Sequence, residues 1–168
     1  MTCLGIGATE VGHEYMSLEK LVAQSQYIFV VQKVHPYETI EKVTIGGGYP
    51  PFTKPIYHFK VLEVLKKQAD YKNFTGKILV LESSSEWKFE IHRDYYVKKL
   101  RKSPIFAAYR SMHDQESSNK MIIFVNKKDD QHFEFTVENA YESPEKKTEL
   151  KKLIGPAEKE DKSIGIEK

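Results

Sequence analysis

The chain has 168 residues, 40% apolar and 30% charged, with a formal net charge of +2. That size supports one domain whose core stands without staples, and near-neutrality gives no global pull toward nucleic acid or membrane. A single cysteine, Cys3, excludes an intramolecular disulfide, and no apolar run approaches the ~20 residues that span a bilayer.

The opening MTCLGIGAT lacks the basic start and the apolar length of a signal peptide. Read as it stands, the chain is expected to be soluble and cytoplasmic. It is expected in the cell envelope, or secreted, if a precursor carries an export signal. Cys3 reads as an ordinary free thiol. Residues 1–16 show no periodicity and are expected to lie along the surface. Ser17 is placed to cap a short helix over Leu18–Ser25, with Glu19 in its first turn and an apolar stripe of Leu18, Leu21 and Val22. A strand follows at Tyr27–Val34 (YIFVVQKV), apolar on both faces at first.

Tyr37–Ile45 alternates weakly and is expected to extend a hairpin, which Gly46–Gly48 and Pro50–Pro51 interrupt. The triple glycine has no following Gly-Lys-Ser/Thr and no helix after it, so it reads as a loop rather than a phosphate cradle. In Ile56–Leu65, Tyr57, Phe59 and Val61 share one face, and then Leu62 and Val64 take the other. Such a change of face midway predicts a β-bulge or a sharply coiled strand. Gly76 opens another strand at Lys77–Leu81, and Trp87–Ile91 (WKFEI) alternates cleanly.

Arg93–Asn119 reads as an irregular, partly helical insertion with Tyr96, Val97 and Leu100 inward and Pro104 as its stop. Lys120–Asn126 and His132–Tyr141 form the clearest hairpin, with Phe133, Phe135 and Val137 on one phase. Pro144 is suited to a first helical position, which predicts a helix over Glu145–Ile154 with Leu150, Leu153 and Ile154 inward and Gly155–Pro156 as its end. Residues 157–168 are charge-rich and read as a frayed tail on a single domain spanning 1–156. Alternation of this kind belongs to antiparallel sheets with one wet face.

The phrases SLEKLVAQSQYIFVVQKV, YHFKVLEVLKK, GKILVL and KMIIFVN, taken in that order, resemble bacterial proteins with an OB-like barrel. These are related to the netrin-like domains and the tissue inhibitors of metalloproteinases. Phe59, Val61, Val64 and Lys66 fit the F-x-V-x-x-V-x-K-G strand of that group, with Lys67 in place of its glycine. The likeness covers residues 17–140. It implies a mainly β, partly closed, antiparallel OB-like barrel of five or six strands, with an N-terminal helix, a helical insertion after Ile91 and a C-terminal helix. The inhibitors act through an N-terminal cysteine that chelates zinc. Here Met1 and Thr2 precede Cys3 and no second cysteine exists, so that activity is not implied.

Six histidines are present, His13, His35, His58, His92, His113 and His132, at no metal-binding spacing. His58, His92 and His132 fall on the polar phase of their strands and meet only if those strands are neighbours in register. Ser111, His113, Asp114 and Glu116 read as a polar loop rather than a catalytic set. No catalytic residue, metal ligand or cofactor is assigned.

The basic and aromatic residues concentrate in Arg93–Arg110, where Arg93, Lys98, Lys99, Arg101, Lys102 and Arg110 face Asp94 alone. The expected function is non-catalytic binding of a protein partner through Tyr95, Tyr96, Lys98, Lys99, Arg101, Lys102, Tyr109 and Arg110, or through the Gly-Pro loop at 46–55. Two alternatives stand beside it. One is single-stranded nucleic acid held by stacking and phosphate pairing over 93–110. The other is a metal-dependent enzyme using the scattered histidines.

Overall fold

The computed structural model describes residues 12–43, 51–71, 76–83 and 105–155. In chain order they form β1 (Gly12–Met16), α1 (Leu18–Gln24), β2 (Tyr27–Val43), β3 (Phe52–Lys66), β4 (Lys77–Leu81) and β5 (Ile105–Tyr109). Then come β6 (Lys120–Lys127), β7 (His132–Phe135), β8 (Tyr141–Glu142), a 3-10 turn at Pro144–Lys146 and α2 (Lys147–Ile154). The chain is mainly β, as the alternation implies.

The main sheet runs β2-β3-β4-β7-β6, and β6 pairs again with β2, giving a partly closed sheet of five strands with the short β8 following β7 along the same edge of β6. The β4–β7 pairing is parallel, and the other pairings of this sheet are antiparallel. Because paired residues project to the same side, the register sorts every strand into an inner and an outer face. Phe29, Phe59, Phe133 and Phe135 lie inside and are buried. Their rings join a continuous aromatic core: Phe29 meets Phe133 edge-on at 5.5 Å, and Tyr57 meets Phe135 at 5.9 Å. Phe59, Phe133 and Phe135 belong to one core. The strand expected at Trp87–Ile91 lies outside the described residues, as do Cys3, the triple glycine and the tail at 157–168.

The change of face in β3 is a bulged register. Phe29 pairs with Val64 and Val30 with Glu63, but Val31 pairs with Val61, leaving Leu62 without a partner position. Leu62 is 43% exposed while Val61 is buried, so the extra residue turns an apolar side chain outward. On β2 a larger irregularity separates Lys33, opposite Phe59, from Glu38, opposite Tyr57. Pro36 falls inside it and has no N–H to give a ladder.

The two described helices form where Ser17 and Pro144 predict them. The Ser17 hydroxyl accepts from the Lys20 N–H at 3.2 Å, and α1 buries Leu21 and Val22. The Ser143 hydroxyl accepts from the Glu145 N–H at 3.3 Å ahead of α2, which buries Leu150 and ends at Gly155, where φ is +71°. Leu153, expected inward, is 37% exposed because Leu150 and Ile154 take the packed side.

Three expectations need correction. Residues 12–16 lie along the surface as expected, with His13–Tyr15 exposed, but they form a strand that their lack of periodicity does not predict, because β5 supplies a parallel partner from Gly12–Ile105 to Met16–Tyr109. The helix expected ahead of Pro104 lies outside the described residues, and of the irregular stretch expected after it 110–119 is irregular with a turn at 115–117, while 105–109 is instead a strand. There the main-chain bonds go to β1 and to Glu138, whose carbonyl accepts from the Tyr109 N–H at 2.8 Å. Finally, His132–Tyr141 is not one strand. The strand breaks after Phe135, passes Asn139 at φ +58°, and resumes as Tyr141–Glu142 along the same edge of β6, still antiparallel, with Phe124 hydrogen-bonded to Thr136 and Ala140 between the two pieces.

Candidate functional site

Of the residues expected to meet a partner, Tyr95, Tyr96, Lys98, Lys99, Arg101 and Lys102 lie outside the described residues. Tyr109 offers no stacking face. It is 8% exposed at the end of β5, and its hydroxyl donates to Glu142 Oε1 at 2.6 Å. Burial, and then that carboxylate, push its phenol well above the ordinary range. Arg110 is exposed, and its guanidinium sits 4.0 Å from the centroid of the Tyr15 ring on β1.

The described histidines are separately occupied or apart. His13 lies 3.3 Å from Glu138, and His58 Nε2 shares a 2.7 Å hydrogen bond with the Thr39 hydroxyl. His132 Nδ1 lies 2.9 Å from Asp129. The Asp129 carboxyl is held below its usual range, first by the Gln131 N–H and then by His132. Among the described residues no group of three His, Cys, Asp or Glu side chains is placed to hold a metal. Ser111 and His113 do not face each other as nucleophile and base, since the Ser111 hydroxyl accepts from the His113 main-chain N–H at 3.1 Å. His113 Nε2 is buried without a hydrogen-bond partner.

The register does bring charged residues together on the outer face. Lys77 of β4 pairs with Lys60 of β3, Lys60 with Gln32 of β2, and Gln32 with Lys120 of β6. At ~4.8 Å per strand this row runs roughly 14 Å across four strands. All three lysines are exposed, and none has an ion-pair partner among the described residues. Lys60 and Lys77 stand directly opposite, the arrangement in which like charges oppose sheet pairing.

Above that row lies His58–Leu79–His132, and above it Ile56–Leu81–Glu134. His58 and His132 therefore do share a face, as their phase requires, with Leu79 between them. Lys54, 5% exposed, reaches Glu134 Oε1 at 3.3 Å, and Lys128 reaches Glu134 Oε2 at 3.3 Å. One carboxylate thus serves two ammonium groups, and the excess charge on this face is positive. Each lysine is legible in the sequence as an outward strand residue. Their alignment is not, because it depends on pairing among strands far apart in the chain.

No helix among the described residues is long and apolar enough to cross a membrane. No protein-family model matches the chain, and neither does any curated protein.

Proposed function

We propose that the chain is a non-catalytic binding module on an OB-like barrel of the netrin-like kind. Its partner on this reading is an acidic protein segment lying across Lys77, Lys60, Gln32 and Lys120. Support for the OB-like reading comes from strand order. Strands β2, β3 and β4 pair consecutively and β6 returns by a long connection beside β2, the Greek-key arrangement of such barrels.

The observation that carries the binding reading is the Lys60–Lys77 pair, placed in register with no ion-paired carboxylate among the described residues. A sheet built for stability alone would set an acid opposite one of them. A partner's carboxylates would supply the missing charges, and complementarity of this kind sets encounter and register. An acidic protein is favoured over a nucleic-acid strand because, among the described residues, the row is accompanied by no exposed Phe, Tyr or Trp. Phe124 shares the phase of Lys120 on β6 but is fully buried, Phe29 and Phe59 point inward, and single-strand binding draws on stacked aromatics. The basic run Lys98, Lys99, Arg101 and Lys102 has the same sign and is proposed as a second contact for the same partner.

The test is a fluorescence titration with poly-glutamate and, separately, oligo(dT), each at low and physiological salt. Poly-glutamate is expected to bind with an affinity that falls as salt rises. Oligo(dT) is expected to show no measurable binding at physiological salt. Micromolar binding of oligo(dT) there, with a slope of roughly −0.7 per phosphate neutralised, would replace the protein partner by a nucleic acid.

A further inference from the structure

A cleft of about 630 Å³ opens where β2 departs from β3 between Lys33 and Glu38. One wall is that irregular stretch, with Lys33, His35, Tyr37 and Glu38. The other is the turn leading into β6, including Gln115, Glu116 and Asn119. The volume falls in the range of small-molecule sites. It lies away from the lysine row in the side chains it presents, since Lys33 and Tyr37 are neighbours of the inner residues Phe59 and Tyr57.

The two walls are tied together. Gln115 Nε2 donates to the Tyr37 hydroxyl at 2.7 Å, Lys33 Nζ donates to the Gln115 carbonyl, and the Lys33 N–H donates to the Asn119 carbonyl at 2.9 Å. The Lys33 ammonium also lies 4.7 Å from the Tyr37 ring centroid. The turn is itself locked, because Asp114 Oδ1 accepts from the Glu116 N–H at 3.0 Å. Preorganised walls of this sort reduce the ordering cost of binding.

What the cleft leaves open is chemically mixed. The Glu38 and Glu116 carboxylates accept. Lys33 retains N–H donors, and the Tyr37 hydroxyl keeps its proton because burial pushes its phenol well above the ordinary range. His35 and Asn119 can each both donate and accept. A ligand that answers closely spaced donors and acceptors without a dominant charge is a polyol, in which every hydroxyl does both. We infer that this cleft binds a neutral saccharide through Lys33, His35, Tyr37, Glu38, Glu116 and Asn119.

The test is amide chemical-shift titration of the full chain with glucose, galactose, N-acetylglucosamine and lactose, for wild type and for His35→Ala and Asn119→Ala. Both substituted side chains are exposed, so the fold should persist. At least one sugar is expected to shift the Tyr37 and Asn119 amides saturably while leaving Lys60 and Lys77 unmoved. Each variant is expected to weaken that sugar roughly five- to tenfold, the loss of one net hydrogen bond. Absence of any saturable shift at Tyr37 or Asn119 with all four sugars, or equal binding by both variants, would overturn the assignment. Neither result bears on poly-glutamate binding by the lysine row.

Discussion

Phe59 illustrates what one residue contributes when its phase, register and neighbours agree. It alternates with His58 and Lys60, is fully buried, and meets the Tyr37 ring edge-on at 5.5 Å. Truncation to alanine removes the ring and leaves a cavity bounded by strands that cannot collapse onto it. Phe59→Ala is therefore expected to cost about 3–5 kcal/mol, read from the denaturant midpoint. An unchanged midpoint would mean that the inner and outer phases of β3 are reversed. Tyr109 shows the opposite case. Its position beside Arg110 reads as a binding aromatic, yet its ring meets Phe124 at 6.4 Å and its hydroxyl is spent on Glu142. Sequence shows that a tyrosine is amphipathic; only the fold shows whether its polar end meets a partner or a buried carboxylate.

At the scale of elements, α2 is held against β3 by charge as well as by Leu150. Glu63 pairs with Lys147, and its Oε1 lies 3.0 Å from Lys151 Nζ, one helical turn further on. Lys147, opposed by some desolvation and aided by Lys151, holds the Glu63 carboxyl below its usual range. A carboxyl with a depressed folded value stabilises fully above its unfolded value of ~4.3, and that contribution is lost as pH falls through the folded value. Glu63→Gln is thus expected to lower stability slightly at neutral pH and to flatten the acid limb of the stability profile below about pH 4. Because the pair is partly exposed, the change at pH 7 should stay within ~1 kcal/mol. Wild type and variant with parallel acid limbs would show that the clasp contributes nothing.

Elements also mark the limit of local reading. The Ser17 cap, the Pro144 start, the apolar run of β6 and the alternation in β3 and β7 are written within a few residues, and they are where expectation and structure agree. β1 and β5 are not, since Gly12–Met16 has no alternation of its own. It becomes a strand only because Ile105–Tyr109 offers parallel main-chain partners. Ile105–Tyr109, which reads as part of an irregular insertion, likewise becomes a strand through its pairing with Gly12–Met16.

Over the whole molecule, the sequence is informative about strands and nearly silent about the surface they build. Lys60, Lys77 and Lys120 are outward residues in three separate segments. Only closure of the sheet sets them in one row. The central claim is that this row keeps an unfavourable charge pair because it serves a partner. A charge-swap cycle with Lys60→Glu, Lys77→Glu and the double reversal, reading unfolding midpoint and poly-glutamate binding on each protein, tests it most directly. Each single reversal converts a like pair into an opposite pair, so each is predicted to stabilise the fold by ~0.2–1 kcal/mol while weakening binding. The double reversal restores a like pair and should return the midpoint toward wild type with binding abolished. Single variants that bind poly-glutamate as tightly as wild type would contradict the account.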